Sequence, residues 1–323
     1  MASSGDAGTV TPAPNFNAEA DCEVLRKAMK GLGTDEKALI NLLCYRSNAQ
    51  RQELKIKYKS MFGRDLVDDI KGELSGHFED VMLGIMMPIP DFAAYSVKKA
   101  VKGLGTDEET LIEVICTATN EELTAIKEAY KRLYKKSMED AVRTDLSGDF
   151  KRMMVSLMTA SREPEGPVDQ AKAAAEAKAL YDAGEGQMGT DESKFNQILC
   201  VRSYSHLRAV FADYARISKT DIVGAIKKEM SGDLEKAYLA VVRSVMDRPS
   251  FFADRLYRFM KGAGTDDDDL VRVVVARCEV DMVQIKEAFP KLYNNQGKSL
   301  ASFIKGDTSG DYERSLLALI REK

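Results

Sequence analysis

Apolar residues recur along this chain at helical spacing. Phe78, Val81, Met82, Ile85 and Met86 fall at i, i+3, i+4, i+7 and i+8, which puts them on one stripe of an α-helix. Phe150, Met153, Met154, Leu157 and Met158 repeat the same spacing. The strict alternation that marks a half-buried strand is absent, so the pattern predicts an all-α fold. The most apolar run, from Val81 to Ile89, ends among prolines. It is far shorter than the roughly 18 residues a membrane-spanning helix needs.

The helical pattern is periodic on a longer scale. KGLGTDE occurs at residues 30–36 and again at 102–108, KGAGTDD at 261–267, and the longer AGEGQMGTDE at 183–192. The glycines before each Thr-Asp, Gly33, Gly105, Gly189 and Gly264, are 72, 84 and 75 residues apart. Eleven positions on stand Cys44, Cys116, Cys200 and Val275; further on come Leu54, Ile126, Val210 and Ile285, then Tyr58, Tyr130, Tyr214 and Phe289. Forty after the anchor come Glu73, Asp145 and Glu229, and the fourth copy reaches its acid at Asp307, after an Asn294-Asn295-Gln296 turn that lengthens it. A repeat of this length is the mark of a helical array. Each copy reads as about five short helices: one before the glycine loop, one after it, two up to the acid and one after the Ser-Gly that follows.

The organisation expected is a flexible small-residue tail over 1–16, repeats at 17–88 and 89–160, a linker at 161–170, and repeats at 171–247 and 248–323. The linker SREPEGPVDQ carries two prolines, and it divides the array into a first pair and a second pair. Thr34, Thr106, Thr190 and Thr265 stand where helix N-caps belong, Thr106 with Glu109 as a capping box. The aligned cysteines read as small mid-helix core residues, and the methionine stripes as core.

Composition narrows the function. Lys plus Arg is 47 and Asp plus Glu is 51, a net charge of −4. That balance disfavours a nucleic-acid binder, and it also disfavours unaided attachment to an anionic membrane. The N-terminus has neither the basic nor the apolar region of a signal peptide, and five scattered cysteines suit reduced thiols in the cytoplasm. There are two histidines, His77 and His206, and neither recurs among the copies; no nucleophile motif accompanies them, so the chain reads as a non-enzyme. His77 replaces the Asp found after Ser-Gly in the other copies and reads as an exposed substitution.

The recurring glycine loop and distal acid are different in kind. Glycine admits positive φ and lets backbone carbonyls turn to one point. Three such carbonyls and a bidentate carboxylate supply five hard oxygens, whereas Ca²⁺ takes about six to eight, leaving places for water or a lipid phosphate. One carboxylate per site predicts weak binding, toward about 10⁻⁴–10⁻³ M. The Walker pattern fails, because Gly297-Lys298-Ser299 lacks its upstream glycine; the dinucleotide fingerprint and the EF-hand loop are absent as well.

Four units of about this size, each with its Gly-x-Gly-Thr-Asp loop and distal acid, resemble the annexin family from about Asn17 to Glu322. The resemblance implies four five-helix repeats in a curved disc with calcium loops on the convex face. Carried over by position, the first site uses carbonyls of Met29, Gly31 and Gly33 with Glu73, and the second Val101, Gly103 and Gly105 with Asp145. The third uses Gly184, Gln187 and Gly189 with Glu229, and the fourth Met260, Gly262 and Gly264 with Asp307. Thr34 with Glu36, and Glu79, offer secondary sites. Leu32, Leu104, Met188 and Ala263 form the loop tips, with Lys30, Lys102 and Lys261 beside them. The family's arginine two residues after the cysteine position is present as Arg46, Arg202 and Arg277 but is Ala118 in the second copy, and Ala93 replaces its expected acidic partner.

The function implied is calcium-dependent binding to anionic, phosphatidylserine-like phospholipid membranes, with self-association on the membrane allowed. The protein would be cytoplasmic until calcium rises and peripheral to the membrane afterwards. The alternative is a helical-repeat scaffold for other proteins. Four calcium ions would outweigh the net charge of −4, so the acidic balance makes membrane binding conditional instead of forbidding it.

Overall fold

The computed structural model describes residues 7–31, 33–103, 105–187, 189–262, 264–292 and 295–322. The loop-tip positions Leu32, Leu104, Met188 and Ala263, and Asn294 of the lengthened turn, lie outside the described residues. Among the described residues the chain is helical throughout and holds no strand.

The first repeat is built from α1 (Ala18–Ala28), α2 (Glu36–Leu43), α3 (Asn48–Phe62), α4 (Leu66–Glu73) and α5 (Gly76–Met86). The second repeats the plan with α6 (Ile89–Ala100), α7 (Glu108–Cys116), α8 (Asn120–Tyr134), α9 (Met138–Asp145) and α10 (Gly148–Met158). The third holds α11 (Gln170–Ala183), α12 (Glu192–Leu199), α13 (Tyr204–Ile217), α14 (Ile222–Glu229) and the first half of α15 (Gly232–Phe259). The second half of α15 opens the fourth, followed by α16 (Asp267–Arg277), α17 (Met282–Ala288), α18 (Leu300–Asp307) and α19 (Gly310–Leu319). α15 is two helices in one: Asp247 leaves the helical path (φ −159°, ψ 92°) two residues before Pro249 and accepts from the Ser250 N–H at 3.0 Å, which caps the second half.

Local signals set most boundaries. Ser47 with Gln50 and Thr119 with Glu122 form reciprocal capping boxes that start α3 and α8. The N-caps after the glycine loops are not the threonines, as the sequence suggested, but the next residue. Asp35, Asp107 and Asp191 accept from the N–H groups three residues on, and Asp266 occupies the fourth cap position. The expected Thr106–Glu109 box is therefore absent. An aspartate reaches the free N–H groups as well as a threonine and adds charge favourable to the helix N-terminus.

The aligned apolar positions are core. Tyr58, Tyr130, Tyr214 and Phe289 are all fully buried, as are Leu54, Val210 and Ile285. All five cysteines are buried free thiols, but Cys44, Cys116 and Cys200 sit at the ends of α2, α7 and α12 and not mid-helix. Burial pushes Cys44 and Cys278 up to about 12, so both are inert as nucleophiles. The arginine register is explained by its partners. Arg46 forks onto Asp21 at 2.6 and 2.8 Å, Arg202 bonds Glu176 at 2.8 Å, and Arg277 pairs with Asp281 while stacking over Phe252. Asp21, Ala93 and Phe252 occupy one register, so the second repeat has lost arginine and acid together.

The repeats do not divide into first and second pairs. They form two compact units: the chain as far as Phe92 joins everything from Phe252 onward, and Ala93–Phe251 forms the other. In the former, the fully buried Arg51 guanidinium pairs with Glu279, and Arg321 donates to the Cys44 carbonyl at 2.9 Å. In the latter, the proline-containing segment between the second and third repeats is held by both of them. Asn120 and Arg162 exchange two hydrogen bonds, Arg162 stacks on Tyr204 at 4.9 Å, and the Glu163 N–H meets the Val201 carbonyl at 2.6 Å.

The N-terminal tail also departs from expectation over its described part. The Val10 N–H donates to Cys278 at 2.9 Å, Thr9 Oγ1 to the Leu319 carbonyl at 2.6 Å, and Ala13 and Gln50 exchange two bonds. A Cβ at Gly8 would lie 2.5 Å from Glu279 backbone atoms, so only glycine lets the chain approach this closely. Small residues that look structureless in sequence are here the ones thin enough to fit.

Candidate metal centre

Each glycine loop is closed by one equivalent hydrogen bond. Asp35, Asp107, Asp191 and Asp266 donate their N–H groups to the carbonyls of Ala28, Ala100, Ala183 and Phe259 at 2.8–2.9 Å. In the first loop Gly31 and Gly33 have φ of +121° and +83°, a region that side chains avoid, and the pairs Gly103/Gly105 and Gly262/Gly264 repeat this. These six glycines are exposed, whereas Met29 and Met260 bury their side chains in the core and Val101 is half-buried. The methionines thus anchor the loop by their side chains and leave the backbone to the exposed end.

The four acids share an unusual place. Glu73, Asp145, Glu229 and Asp307 are each the last residue of a helix: α4, α9, α14 and α18. A carboxylate there faces the negative end of the helix dipole, which costs about 0.3–1 kcal/mol where a lysine would gain. Repeating an unfavourable placement four times points to a cation. Three loops are joined to their acid residue through the threonine: Thr34 Oγ1 donates to Glu73 Oε2 at 2.7 Å, Thr190 Oγ1 to the Glu229 carbonyl at 3.1 Å, and Thr265 Oγ1 to the Asp307 carbonyl at 3.4 Å. Residues about forty apart in sequence are thereby brought to one place, and the threonine hydroxyl serves the acid and not the helix cap. Burial raises the Asp307 carboxyl above the usual aspartate range; the Thr265 bond opposes this and Asp267 adds to it. Glu36 and Glu79 are half-buried, and the Thr34 hydroxyl is engaged by Glu73.

The third loop is built differently. It has one residue more between its closing partners, and of its glycines only Gly189 has positive φ. Gly184 is buried, and a Cβ there would lie 3.7 Å from Glu229 Cγ, so this residue and its acid do meet. Gln187 folds its side chain back onto the Ala183 carbonyl at 3.1 Å. Glu185, which the sequence reading passed over, accepts from Tyr214 Oη at 3.1 Å, Thr220 Oγ1 at 3.3 Å and Ser218 Oγ. Those bonds, Ser218 foremost, hold its carboxyl below the usual glutamate range against the effect of burial. Lys228 Nζ lies 3.3 Å from Glu229 Oε1 and 3.8 Å from Glu185. The insertion was the one sequence signal that this loop differs.

The donor set at every loop is oxygen alone: backbone carbonyls, a carboxylate, and water where the site is open. Such a set fits Ca²⁺ and excludes ions that demand nitrogen or sulfur. No described helix is long and apolar enough to cross a membrane.

Comparison with known proteins agrees with this geometry. Residues 20–85, 91–157, 175–241 and 251–319 each match the annexin family. The chain is 51% identical over 319 residues to annexin A4 of Bos taurus, covering 99% of this chain and 98% of the bovine protein. Its fold superposes on a solved structure of annexin III with a TM-score of 0.95 at 45% identity, covering 98% of this chain and 97% of that one. A calcium-bound annexin (Sm)1 structure superposes with a TM-score of 0.87 at 34% identity, over 98% of this chain and 93% of that one. The four matched segments, the near full-length identity and the shared fold establish that this chain belongs to the annexin family, whose members bind phospholipids in a calcium-dependent manner and are in general not enzymes.

Proposed function

We propose that this protein attaches to anionic, phosphatidylserine-like membranes through calcium held at its four glycine loops, and that it does so without catalysis. The observation that carries this reading is the fourfold carboxylate at a helix C-terminus beside a glycine loop. The residues that would hold calcium are Met29, Gly31, Gly33 and Glu73; Val101, Gly103, Gly105 and Asp145; Gly184, Gln187, Gly189 and Glu229; and Met260, Gly262, Gly264 and Asp307. Calcium supplies the positive charge that links these oxygens to a lipid phosphate. The chain supplies shape: buried Met29 and Met260 fix two of the loops, positive-φ glycines expose carbonyls, and threonines hold Glu73, Glu229 and Asp307 against their loops. The units at 17–88, 89–160, 171–247 and 248–323 each carry one such loop, and several weak sites on one chain add as avidity.

Because the acids repel anionic headgroups until calcium is bound, the protein is cytoplasmic at low calcium and peripheral to the membrane when calcium rises, where copies can associate. Co-sedimentation with phosphatidylserine vesicles tests this, with and without chelator. Binding should require calcium and should fall on vesicles of phosphatidylcholine alone. Changing Glu73, Asp145, Glu229 and Asp307 together to Ala should abolish it while leaving the helical circular dichroism intact, and single changes should cost less. Equal sedimentation with and without chelator overturns the reading; calcium-independent capture of a protein with no lipid binding favours a scaffold.

A further inference from the structure

Beneath each glycine loop the fold brings three registers together: the residue two before the end of the preceding helix, the buried ring of the Tyr58 register, and the residue one turn before the distal acid. In the first repeat these are Arg26, Tyr58 and Asp69. The Asp69 carboxylate accepts from Tyr58 Oη at 2.8 Å, lies 3.6 Å from Arg26 Nη1 and takes a fork from Arg64 at 2.6–2.9 Å. In the fourth they are Tyr257, Phe289 and Phe303, whose rings pack at centroid separations of 5.3–6.3 Å. The third has Tyr181 and Tyr214 with rings 6.4 Å apart, and Ala225 in place of the acid. There Glu185 supplies the carboxylate, accepting from Tyr214 Oη and from Thr220 Oγ1, which stands at the Arg64 register. Each of these three nodes is closed, either by a carboxylate among its donors or by packed rings.

The second repeat keeps the donors and loses the acceptor. Lys98, Tyr130 and Lys136 stand at the registers of Arg26, Tyr58 and Arg64, and Ala141 at that of Asp69. The backbone follows the same path: Lys135 has φ +55° where Gly63 has +67°, and α9 starts two residues after Lys136 as α4 does after Arg64. Tyr130 is 0% exposed, and its hydroxyl makes no hydrogen bond. A buried donor without an acceptor is an exception in folded proteins. Lys98 Nζ lies 5.9 Å from the centre of the Tyr134 ring, which packs edge-on against Tyr130 at 4.9 Å. Among the described residues neither Lys98 nor Lys136 is in an ion pair. The acids beside Ala141 are engaged elsewhere, Asp140 by Arg143 at 2.7 Å and Glu139 by Lys127 at 2.6 Å. Lys136 is exposed and Ala141 half-exposed, so this place opens to solvent.

We propose that Lys98, Tyr130 and Lys136 form a binding site for an external carboxylate, seated where Ala141 lacks the acid of the first repeat. Aspartate exceeds alanine by one carboxylate group, so a carboxylate ligand restores the missing part. Asp69 shows the chemistry: one oxygen accepts from the phenol, and two cations balance the charge. Lysines act as flexible point charges where arginines make forks, so they can follow a ligand that enters from solvent. The carboxylate comes free, on a small organic acid, or on the serine of a lipid headgroup. Asp145 lies one turn beyond Ala141 on α9, which brings a headgroup at the second glycine loop within reach. The lipid source alone rests on the calcium reading; the site itself does not.

The test is calorimetric titration of the full chain with sodium acetate, without calcium, against sodium chloride at equal ionic strength. The unaltered protein should bind one acetate, with an affinity that falls by at least about tenfold in Tyr130→Phe, because a hydrogen bond to a charged group is lost. Tyr58→Phe, at a node already closed, should leave that affinity unchanged. Ala141→Asp supplies the carboxylate from within: it should abolish acetate binding and raise the thermal midpoint above that of the parent, which separates a filled site from a lost fold. No acetate binding by the unaltered protein, equal binding by Ala141→Asp, or a lowered midpoint in that variant overturns the proposal. Sedimentation in calcium with vesicles of phosphatidylserine, and of phosphatidic acid, which has no carboxylate, names the source. Binding by Ala141→Asp weakened on the first alone seats the lipid serine in the site; binding unchanged, or changed equally on both, assigns the site to a free acid. A protein that binds acetate but sediments with neither vesicle keeps the site and overturns the calcium reading instead.

Discussion

Glycine is the residue on which the loops depend, and the structure separates two kinds of glycine. Gly33 sits at φ +83° with nothing within 4 Å of where a Cβ would stand, so its requirement is for backbone conformation and not for space. Gly33→Ala should destabilise the protein by about 1–2 kcal/mol, the cost of an L-residue in that region. Calcium binding at the first loop should weaken with it. Gly72, inside α4, has equally open surroundings and no positive φ. Gly72→Ala should therefore stabilise by about 0.5–1 kcal/mol. Urea denaturation of the two variants checks both signs, and equal effects would refute the distinction. Both glycines are visible in the sequence; which of them is conformationally required is not, because φ is set by where the loop must return.

At the scale of elements, the divided labour of adjacent threonine and aspartate is testable. Asp35→Ala removes the cap of α2, whose side chain accepts from the Ala38 N–H at 2.9 Å, and should cost about 1 kcal/mol. Thr34→Val removes no cap and should change unfolding by less than about 0.5 kcal/mol, yet weaken calcium binding by freeing Glu73. Unfolding and calcium titrations on the two variants separate the roles; the reverse order would restore Thr34 as the cap. The third loop has its own pH dependence. The Glu185 carboxyl lies below the usual glutamate value of about 4.3, so its bonds contribute fully above that value. The contribution is lost as pH falls through the depressed folded value. Hydrogen exchange over residues 184–187 should accelerate in that acid range, and Glu185→Gln should remove the dependence.

For the molecule as a whole, the pairing of first with last repeat rests partly on one buried charge. Arg51 is 1% exposed and its carboxylate partner, Glu279, is 228 residues away. Glu279→Ala should destabilise by about 3–5 kcal/mol, because it leaves that guanidinium buried and unpaired. Replacing Arg51 by Met in the same background should recover much of the loss. A thermal melt of the three proteins decides the matter; a single variant as stable as the parent would show that water reaches Arg51. Four repeats were legible because Tyr58, Tyr130, Tyr214 and Phe289 hold one register, while their pairing was not, because Arg51 and Glu279 carry no mark of each other in sequence.

The sequence by itself determined whatever is local or repeated. Helical class, five helices per unit, the core register, the glycine loops and the four distal acids all follow from spacing, since a helix and a tight turn are closed by neighbours within a few residues. Tertiary structure decided what depends on distant partners. It placed each acid at the end of a helix and tied three of these acid residues to their loops through a threonine. It joined the chain ends into one unit and pinned the proline-containing linker to the repeats on either side. It also brought His77 of the first repeat beside Asp267 and Asp268 of the fourth. Such contacts are set by packing and by the satisfaction of buried charge, whose free energy belongs to pairs that only the folded chain brings together.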